Sequence, residues 1–246
     1  MHNKFYSELN SIFDSNTDFD FMNHGYAPVS LRITDSNITY KTQASLYLFL
    51  VENISNKENK KILDIGCGRG GGIKTIGEMY NFSQLFACDI NEDNLSYCNE
   101  SNTSNKINYS LCDAQKLNFQ KRYFDVILNV ESMHCYQYPD LFLEGVYNTL
   151  KDDGVFLLGD VFSETKSNER IGLLHKYFHV EDIWDITPNT IESCKSVIIT
   201  TKNILSNNTS INKKGYEFKL NNFLHKLKLY ESNSLKFVCF RLRKKL

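Results

Sequence analysis

Residues 63–72 read Leu-Asp-Ile-Gly-Cys-Gly-Arg-Gly-Gly-Gly, an acid at the end of a strand-like run followed by a glycine-rich turn. Glycine is required where a chain turns with φ > 0 and where a ligand approaches backbone without a Cβ in the way. A loop of this kind that opens a helix presents free N–H groups to a ligand. Gly66, Gly68 and Gly71 also satisfy the dinucleotide fingerprint, so a pyrophosphate is the first rival to weigh. Three acids bear on the choice. Asp64 sits two residues before the first glycine, where it repels a pyrophosphate and attracts an ammonium or sulfonium. Asp89 ends the second strand-like run, where a carboxylate accepts from ribose hydroxyls, a feature that both ligands share. Asp113, followed by Ala114, ends the third, where a side chain and the next N–H read the edge of adenine. Cys67 inside the loop, Ile90 after Asp89 and Asn129 at the end of the fourth run complete the expected set. The ligand they describe carries a ribose, an adenine and a positive charge.

S-adenosylmethionine (SAM) has all three, together with a methyl on sulfonium. Methyl transfer is an in-line displacement, so alignment and exclusion of water supply much of its rate. A hydroxyl acceptor also needs a base, and histidine suits that role near neutral pH. His134 stands in the stretch after the fourth run, Asn129-Val130-Glu131-Ser132-Met133-His134-Cys135, and Asp160 ends the fifth, where it can orient the imidazole. A histidine bonded to its own loop is the competing reading. His175 and His179, four apart, offer two metal ligands on one helix face. No acidic or cysteine partner stands in an evident place, and no metal is expected. The sequence has no Gly-x-Ser-x-Gly elbow of a serine hydrolase.

The elements that must position these residues follow one rhythm. KILDI (61–65), LFACDI (85–90), INYSLC (107–112), FDVILNV (124–130) and GVFLLGDV (154–161) are short apolar runs separated by helical or polar segments. That is the pattern of βαβ units, and continuously apolar strands belong to a parallel sheet covered on both faces. FHVEDIWDI (178–186) is a candidate sixth strand, and LKFVCFRLR (235–243) a last one. Between them lie a helix entered by Thr187 as N-cap with Pro188 at the first helical position, and an amphipathic helix over 215–229. We expect a single α/β domain over 1–246: a helical N-terminal cap (1–58), a cofactor-binding core (59–162), an acceptor-side helical insertion (163–232) and the last strand (233–246). The 28 basic and 29 acidic side chains leave a net charge of −1, which gives no long-range attraction to nucleic acid. The basic run Arg241, Arg243, Lys244 and Lys245 reads as a solvated strand end. No stretch is long and apolar enough for a membrane span, and no signal peptide is visible. Seven cysteines without a CxxC pair read as reduced thiols of a cytoplasmic protein. The oligomeric state is not legible.

The stretches LDIGCGRGG, ACDIN, CDAQKLNF, FDVILNVESMHC and LKDDGVFLLGDVF, in that order, resemble the class I SAM-dependent methyltransferases. The likeness is greatest to the small-molecule branch that includes sterol and tocopherol methyltransferases and O-methyltransferases of natural-product glycosides. It implies a seven-stranded, doubly wound sheet, mostly parallel with the last strand antiparallel. Members of that branch often carry an N-terminal Asn-x-Gly-Tyr, and Asn23-His24-Gly25-Tyr26 stands in its place here. By that resemblance Tyr26 closes over the methionine end of the cofactor; the alternative is an ordinary aromatic of the cap. The glycoside O-methyltransferases often carry Glu-Ser-x-His-His, whereas this chain keeps Glu131, Ser132 and His134 and has Cys135 for the second histidine. The expected activity is methyl transfer from SAM to a small, partly apolar acceptor, with O-methylation favoured and His134 as general base. An N- or C-methyltransferase shares every cofactor residue, and a cyclase or scaffold protein that binds SAM without methyl transfer shares the fold.

Overall fold

The computed structural model describes residues 9–12, 19–27, 38–52, 54–101, 106–163, 167–207 and 212–245. Its strands are β1 Lys61–Ile65, β2 Gln84–Asp89, β3 Ile107–Leu111, β4 Phe124–Val130, β5 Leu150–Ser163, β6 Phe178–Asp185 and β7 Leu235–Lys244. Its helices are α1 Ile38–Val51, α2 Gly71–Met79, α3 Glu92–Ser101, α4 Pro139–Thr149, α5 Ser167–Tyr177, α6 Thr187–Asn207 and α7 Lys213–Glu231. The seven strands form one sheet in the order β3-β2-β1-β4-β5-β7-β6. Pairing is parallel from β3 across to β5, and β7 is antiparallel to both β5 and β6. The order reverses where β1 pairs with β4, and the ligand crevice of such a sheet opens beyond the carboxyl ends of those strands.

The apolar strands read as they do because both faces are covered. Val126, Leu128 and Leu157 point into a core with Leu46, Leu50, Val197 and Phe223 from α1, α6 and α7. Their neighbours Ile127, Phe156 and Leu158 point the other way, against Phe142, Leu143 and Val146 of α4. Pro139 stands in the first turn of α4, where its missing N–H and fixed φ cost nothing. Against this apolar background three polar residues are fully buried near the carboxyl ends of adjacent strands: Asp64 on β1, Asn129 on β4 and Asp160 on β5. Hydrophobic packing does not account for them.

Several expectations change. Residues 19–27 are not helical, so the cap is helical only at 9–12 and in α1 among the described residues. The backbone there is spent on distant elements instead, with the Tyr26 N–H on the Thr42 carbonyl and the Ala27 N–H on the Asn189 carbonyl. Gly25, at φ +81°, makes the turn between them. Thr187 does not cap α6, because its hydroxyl accepts from the Phe237 N–H of β7 while Asp185 takes the Thr187 N–H. The candidate sixth strand does form, as β6, and β7 lies inside the sheet between β5 and β6. His175 ends α5 and His179 lies on β6, so the helix-face metal pair is lost. In the basic run, Arg241 and Arg243 share Glu181, and Lys244 pairs with Asp152. No described helix is long and apolar enough to cross a membrane.

Candidate active site

The glycine loop joins β1 to α2, with Gly66, Gly68 and Gly70 all in the left-handed region at φ +73°, +55° and +79°. At Gly66 a side chain is excluded twice, since a Cβ would also lie 2.2 Å from the Ser132 hydroxyl. The loop is clasped to β2 by the Gly66 and Cys67 N–H groups on the Cys88 carbonyl, and by the Gly68 N–H on Asp89 Oδ2 at 2.8 Å. Asp89 Oδ1 accepts from the Asn91 N–H and the Asn94 amide. Burial raises the Asp89 carboxyl, and these donors hold it back. Three protein donors occupy most of its acceptor capacity, so Asp89 is a clasp on the loop before it is a ribose ligand.

Asp64 is different. Its carboxyl is wholly buried, and neither oxygen has a hydrogen-bond partner. Burial, with the charge of Asp89 added, pushes its pKa up to about 8. A buried carboxyl without donors is costly in an apo fold and well suited to an incoming cation. Asp113 is half-buried, and one of its oxygens caps the turn after β3 by accepting from the Gln115 N–H. The adjoining Ala114 is buried, and Ile90 is an apolar side chain left 46% exposed beside Asp89. Cys67 is buried, its thiol raised by a hydrogen bond with Cys98 and by desolvation, which leaves it a neutral wall of the loop. Asn129 is spent on the protein: its amide donates to the Ile65 carbonyl and the Tyr136 hydroxyl, and its oxygen accepts the Met133 N–H. It braces β1 against the turn after β4 rather than offering a free side chain to a cofactor.

That turn brings His134 onto Asp160. The His134 N–H lies 2.8 Å from Asp160 Oδ2, and Nδ1 lies 2.7 Å from Oδ1, so one buried carboxylate fixes both backbone and ring. The His134 side chain remains 28% exposed. Desolvation lowers its pKa, but the charge and hydrogen bond of Asp160 prevail and push it up to about 10. Tyr26 stacks on Phe49 at 4.7 Å, and Phe49 in turn meets Trp184 edge-on. A Cβ on Gly68 would meet Met22 Sδ at 3.6 Å, and Phe21 and the Asp20 carbonyl lie against Gly71. Residues 20–22 therefore cover the loop, while the Tyr26 ring belongs to an aromatic stack.

Residues 63–158, from β1 through most of β5, match a family described as a methyltransferase domain. A fatty-acid O-methyltransferase of Mycolicibacterium smegmatis is 31% identical over 146 residues, 58% of this chain and 53% of the relative. Over these residues the chain is similar to SAM-dependent methyltransferases. It spans about half the length of the curated relatives it matches. Among solved structures, a 4+2 cyclase aligns over 99% of this chain and 95% of its own at a TM-score of 0.77 and 15% identity. Geranyl diphosphate C-methyltransferase of Streptomyces coelicolor aligns over 98% and 97% at 0.71 and 13%. At such identities the likeness is one of fold, and the reaction has to be argued from the site.

The sequence did not reveal a second buried cluster behind the His134 turn. His24 Nδ1 lies 2.8 Å from Glu131 Oε2 and 3.0 Å from the Tyr230 hydroxyl, and the His24 N–H donates to Glu131 Oε1. Burial opposes the Glu131 charge, yet the His24 contacts keep its carboxyl below the ordinary value. Both residues lie in quoted motifs, but their pairing joins positions 107 apart, which no local pattern encodes. Arg170 was also missed. It reaches from α5 to the His134 carbonyl at 3.1 Å, and an arginine in a polar stretch gives no sign of this.

Proposed function

We propose that this protein transfers the methyl group of SAM to an oxygen of a small, partly apolar acceptor. The observation that carries the cofactor reading is Asp64, a buried carboxyl with both oxygens free of donors at the mouth of a loop that only glycine can form. In this reading Asp64 receives the ammonium of the cofactor and Gly66, Cys67 and Gly68 face its methionine part. Asp89 accepts from the ribose, Ile90 packs on the adenine, and Asp113 with the Ala114 N–H reads its edge. Asn129 holds the loop in place, and Tyr26 with the segment around it forms the cover. When bound, SAM supplies an activated methyl and a leaving thioether. The protein aligns the acceptor and excludes water, the two contributions an in-line displacement most needs. His134, fixed by Asp160, stands at the acceptor side. The likeness to a fatty-acid O-methyltransferase supports both an oxygen nucleophile and an apolar body. Cysteine usage suits a reducing, cytoplasmic setting.

Calorimetry with S-adenosylhomocysteine and NAD tests the cofactor assignment. S-adenosylhomocysteine should bind and NAD should give no heat. Asp89→Ala should weaken binding at least tenfold, through lost ribose contacts and a loosened loop, given about 1.5–3 kcal/mol for each hydrogen bond to a charged group. A folded Asp89→Ala protein with undiminished affinity would overturn the assignment.

A further inference from the structure

Arg170 lies in the first half of α5, half-buried, at the carboxyl edge of the sheet. Its Nη2 donates to the His134 carbonyl at 3.1 Å and its Nη1 to the Val161 carbonyl at 3.4 Å. These are the two elements that supply His134 and Asp160, so the guanidinium is tied to the same corner as the candidate reacting side chain. A guanidinium has five N–H donors, and two are spent on these carbonyls. The rest find no partner among the described residues, and none of the described carboxylates forms an ion pair with it. Three other arginines are answered by acids, Arg122 by Asp152 and both Arg241 and Arg243 by Glu181, whereas Arg69 is buried against Asn10 and the Tyr97 ring. Arg170 is pinned by neutral carbonyls, which fix its position and leave its charge without a carboxylate among the described residues. A fixed, half-buried guanidinium with free donors is a receptor for a planar anion.

His134 adds a second donor beside it. With Nδ1 bonded to Asp160, the outer ring nitrogen is the one that can turn to a ligand, beside the Cys135 thiol that also hydrogen-bonds the ring. The charged and titratable groups around the ring are Asp160 from β5, Glu131 and Cys135 from its own turn, and Arg170 from α5. Asp160 holds the ring as an imidazolium at neutral pH. As a base, such a ring is available in only about one molecule in a thousand at pH 7.

We propose that the acceptor is a carboxylic acid, whose carboxylate is received by Arg170 and the outer N–H of His134, and that the product is its methyl ester. The proposal rests on the oxygen-transfer reading given above and names its substrate class. A carboxylate oxygen forms the new O–CH3 bond with its own lone pair, while the S–CH3 bond breaks and its electron pair stays on sulfur. An anion and a sulfonium become a neutral ester and a neutral thioether, and no proton has to leave. His134 then acts as a cationic donor that positions the acid and need not be a base.

The test uses the full chain saturated with S-adenosylhomocysteine and titrated with tetradecanoate, and separately the full chain with SAM offered tetradecanoate, tetradecanol or tetradecylamine. Tetradecanoate should bind and yield its methyl ester, with a rate at saturating SAM nearly flat over about pH 6 to 9, within which neither the acid nor an imidazolium titrating near 10 changes charge. Arg170→Gln should weaken tetradecanoate binding at least tenfold while leaving S-adenosylhomocysteine affinity unchanged, and Arg170→Lys should recover part of the loss. Methylation of the alcohol and not the acid overturns the acid assignment and leaves oxygen transfer standing. Methylation of the amine alone overturns both. Equal tetradecanoate affinity in wild type and Arg170→Gln, or no affinity in either, removes the carboxylate receptor.

Discussion

Asp64 shows how a single side chain can be unfavourable for the fold and useful to the site. In the unfolded chain its pKa is near 3.8 and in the folded one about 8. Between those values the folded state holds a proton that the unfolded state has released. Stability is therefore full below the lower value and falls as pH rises through the window. Each unit of that window is worth about 1.4 kcal/mol. Asn mimics the protonated acid, so Asp64→Asn should raise the thermal midpoint of the ligand-free protein at pH 8 and leave it nearly unchanged at pH 4. The same variant should lose S-adenosylhomocysteine affinity at least tenfold. In the wild type that affinity should climb with pH up to about 8, since an ammonium is received by the ionised carboxyl. A variant destabilised at pH 8, as judged by scanning calorimetry, would show that Asp64 has donors after all. His134 has the same sign in a higher window: its folded value near 10 stands above the ordinary 6.5, so the stability from its pairing with Asp160 is full below 6.5 and is lost as pH rises from there through 10. An alcohol acceptor should thus be methylated faster as pH approaches 10, and an acid acceptor more slowly beyond it.

At the scale of elements, the turn after β4 is the part most in need of support. Glu131 sits at φ +48°, a region that costs a non-glycine residue about 1–2 kcal/mol. Two buried contacts hold it there: Asp160 takes the backbone and ring of His134, and His24 meets the Glu131 carboxylate. Removing one partner of a buried ion pair costs more than the pair is worth, about 3–5 kcal/mol. His24→Ala and Glu131→Gln should each lower the urea midpoint substantially, and the double variant should cost clearly less than the two together. Full additivity in that cycle would mean that the contact contributes nothing. These elements also show what a sequence can reveal. β1 and β4 are legible residue for residue, because a buried strand is a short apolar run and its polar residues stand out at the end. Asp64, Asp89, His134 and Asp160 were singled out on that ground. Asn129 was singled out in the same way, and its amide braces two strands, a use that looks in a sequence like a strand-end amide facing a ligand. Thr187 misled for a similar reason, its hydroxyl being taken by a strand fifty residues away.

Across the whole molecule, the N-terminal segment ties the two halves of the site together. Asp20 meets Tyr97 of α3 through its carboxylate and Gly71 of α2 through its carbonyl. Asn10 bonds both Arg69 of the glycine loop and Asn94 of α3. The Asn23 carbonyl takes the Gln43 amide of α1, and His24 reaches Glu131 and Tyr230. One stretch therefore spans the cofactor loop, the acceptor-side turn and the long helix α7, none of which is near it in sequence. Such a segment is more than a cover: it links the glycine loop to the turn that carries His134. Two truncations separate its parts. Removing residues 1–18 deletes Leu9, Asn10 and Ile12 and spares Asp20, Asn23 and His24, so S-adenosylhomocysteine affinity should fall by less than about tenfold and unfolding should stay cooperative, the loss being that of a few polar contacts and one small apolar patch. Removing residues 1–27 also deletes the Glu131 partner and the backbone that covers Gly68 and Gly71. It should weaken S-adenosylhomocysteine binding by a further tenfold or more and broaden the denaturation transition, because a buried carboxylate loses its partner on β4 while the glycine loop loses its cover. If the longer truncation binds as tightly as the shorter one and melts as sharply, the segment is a passive lid and the two ends of the site are not coupled through it.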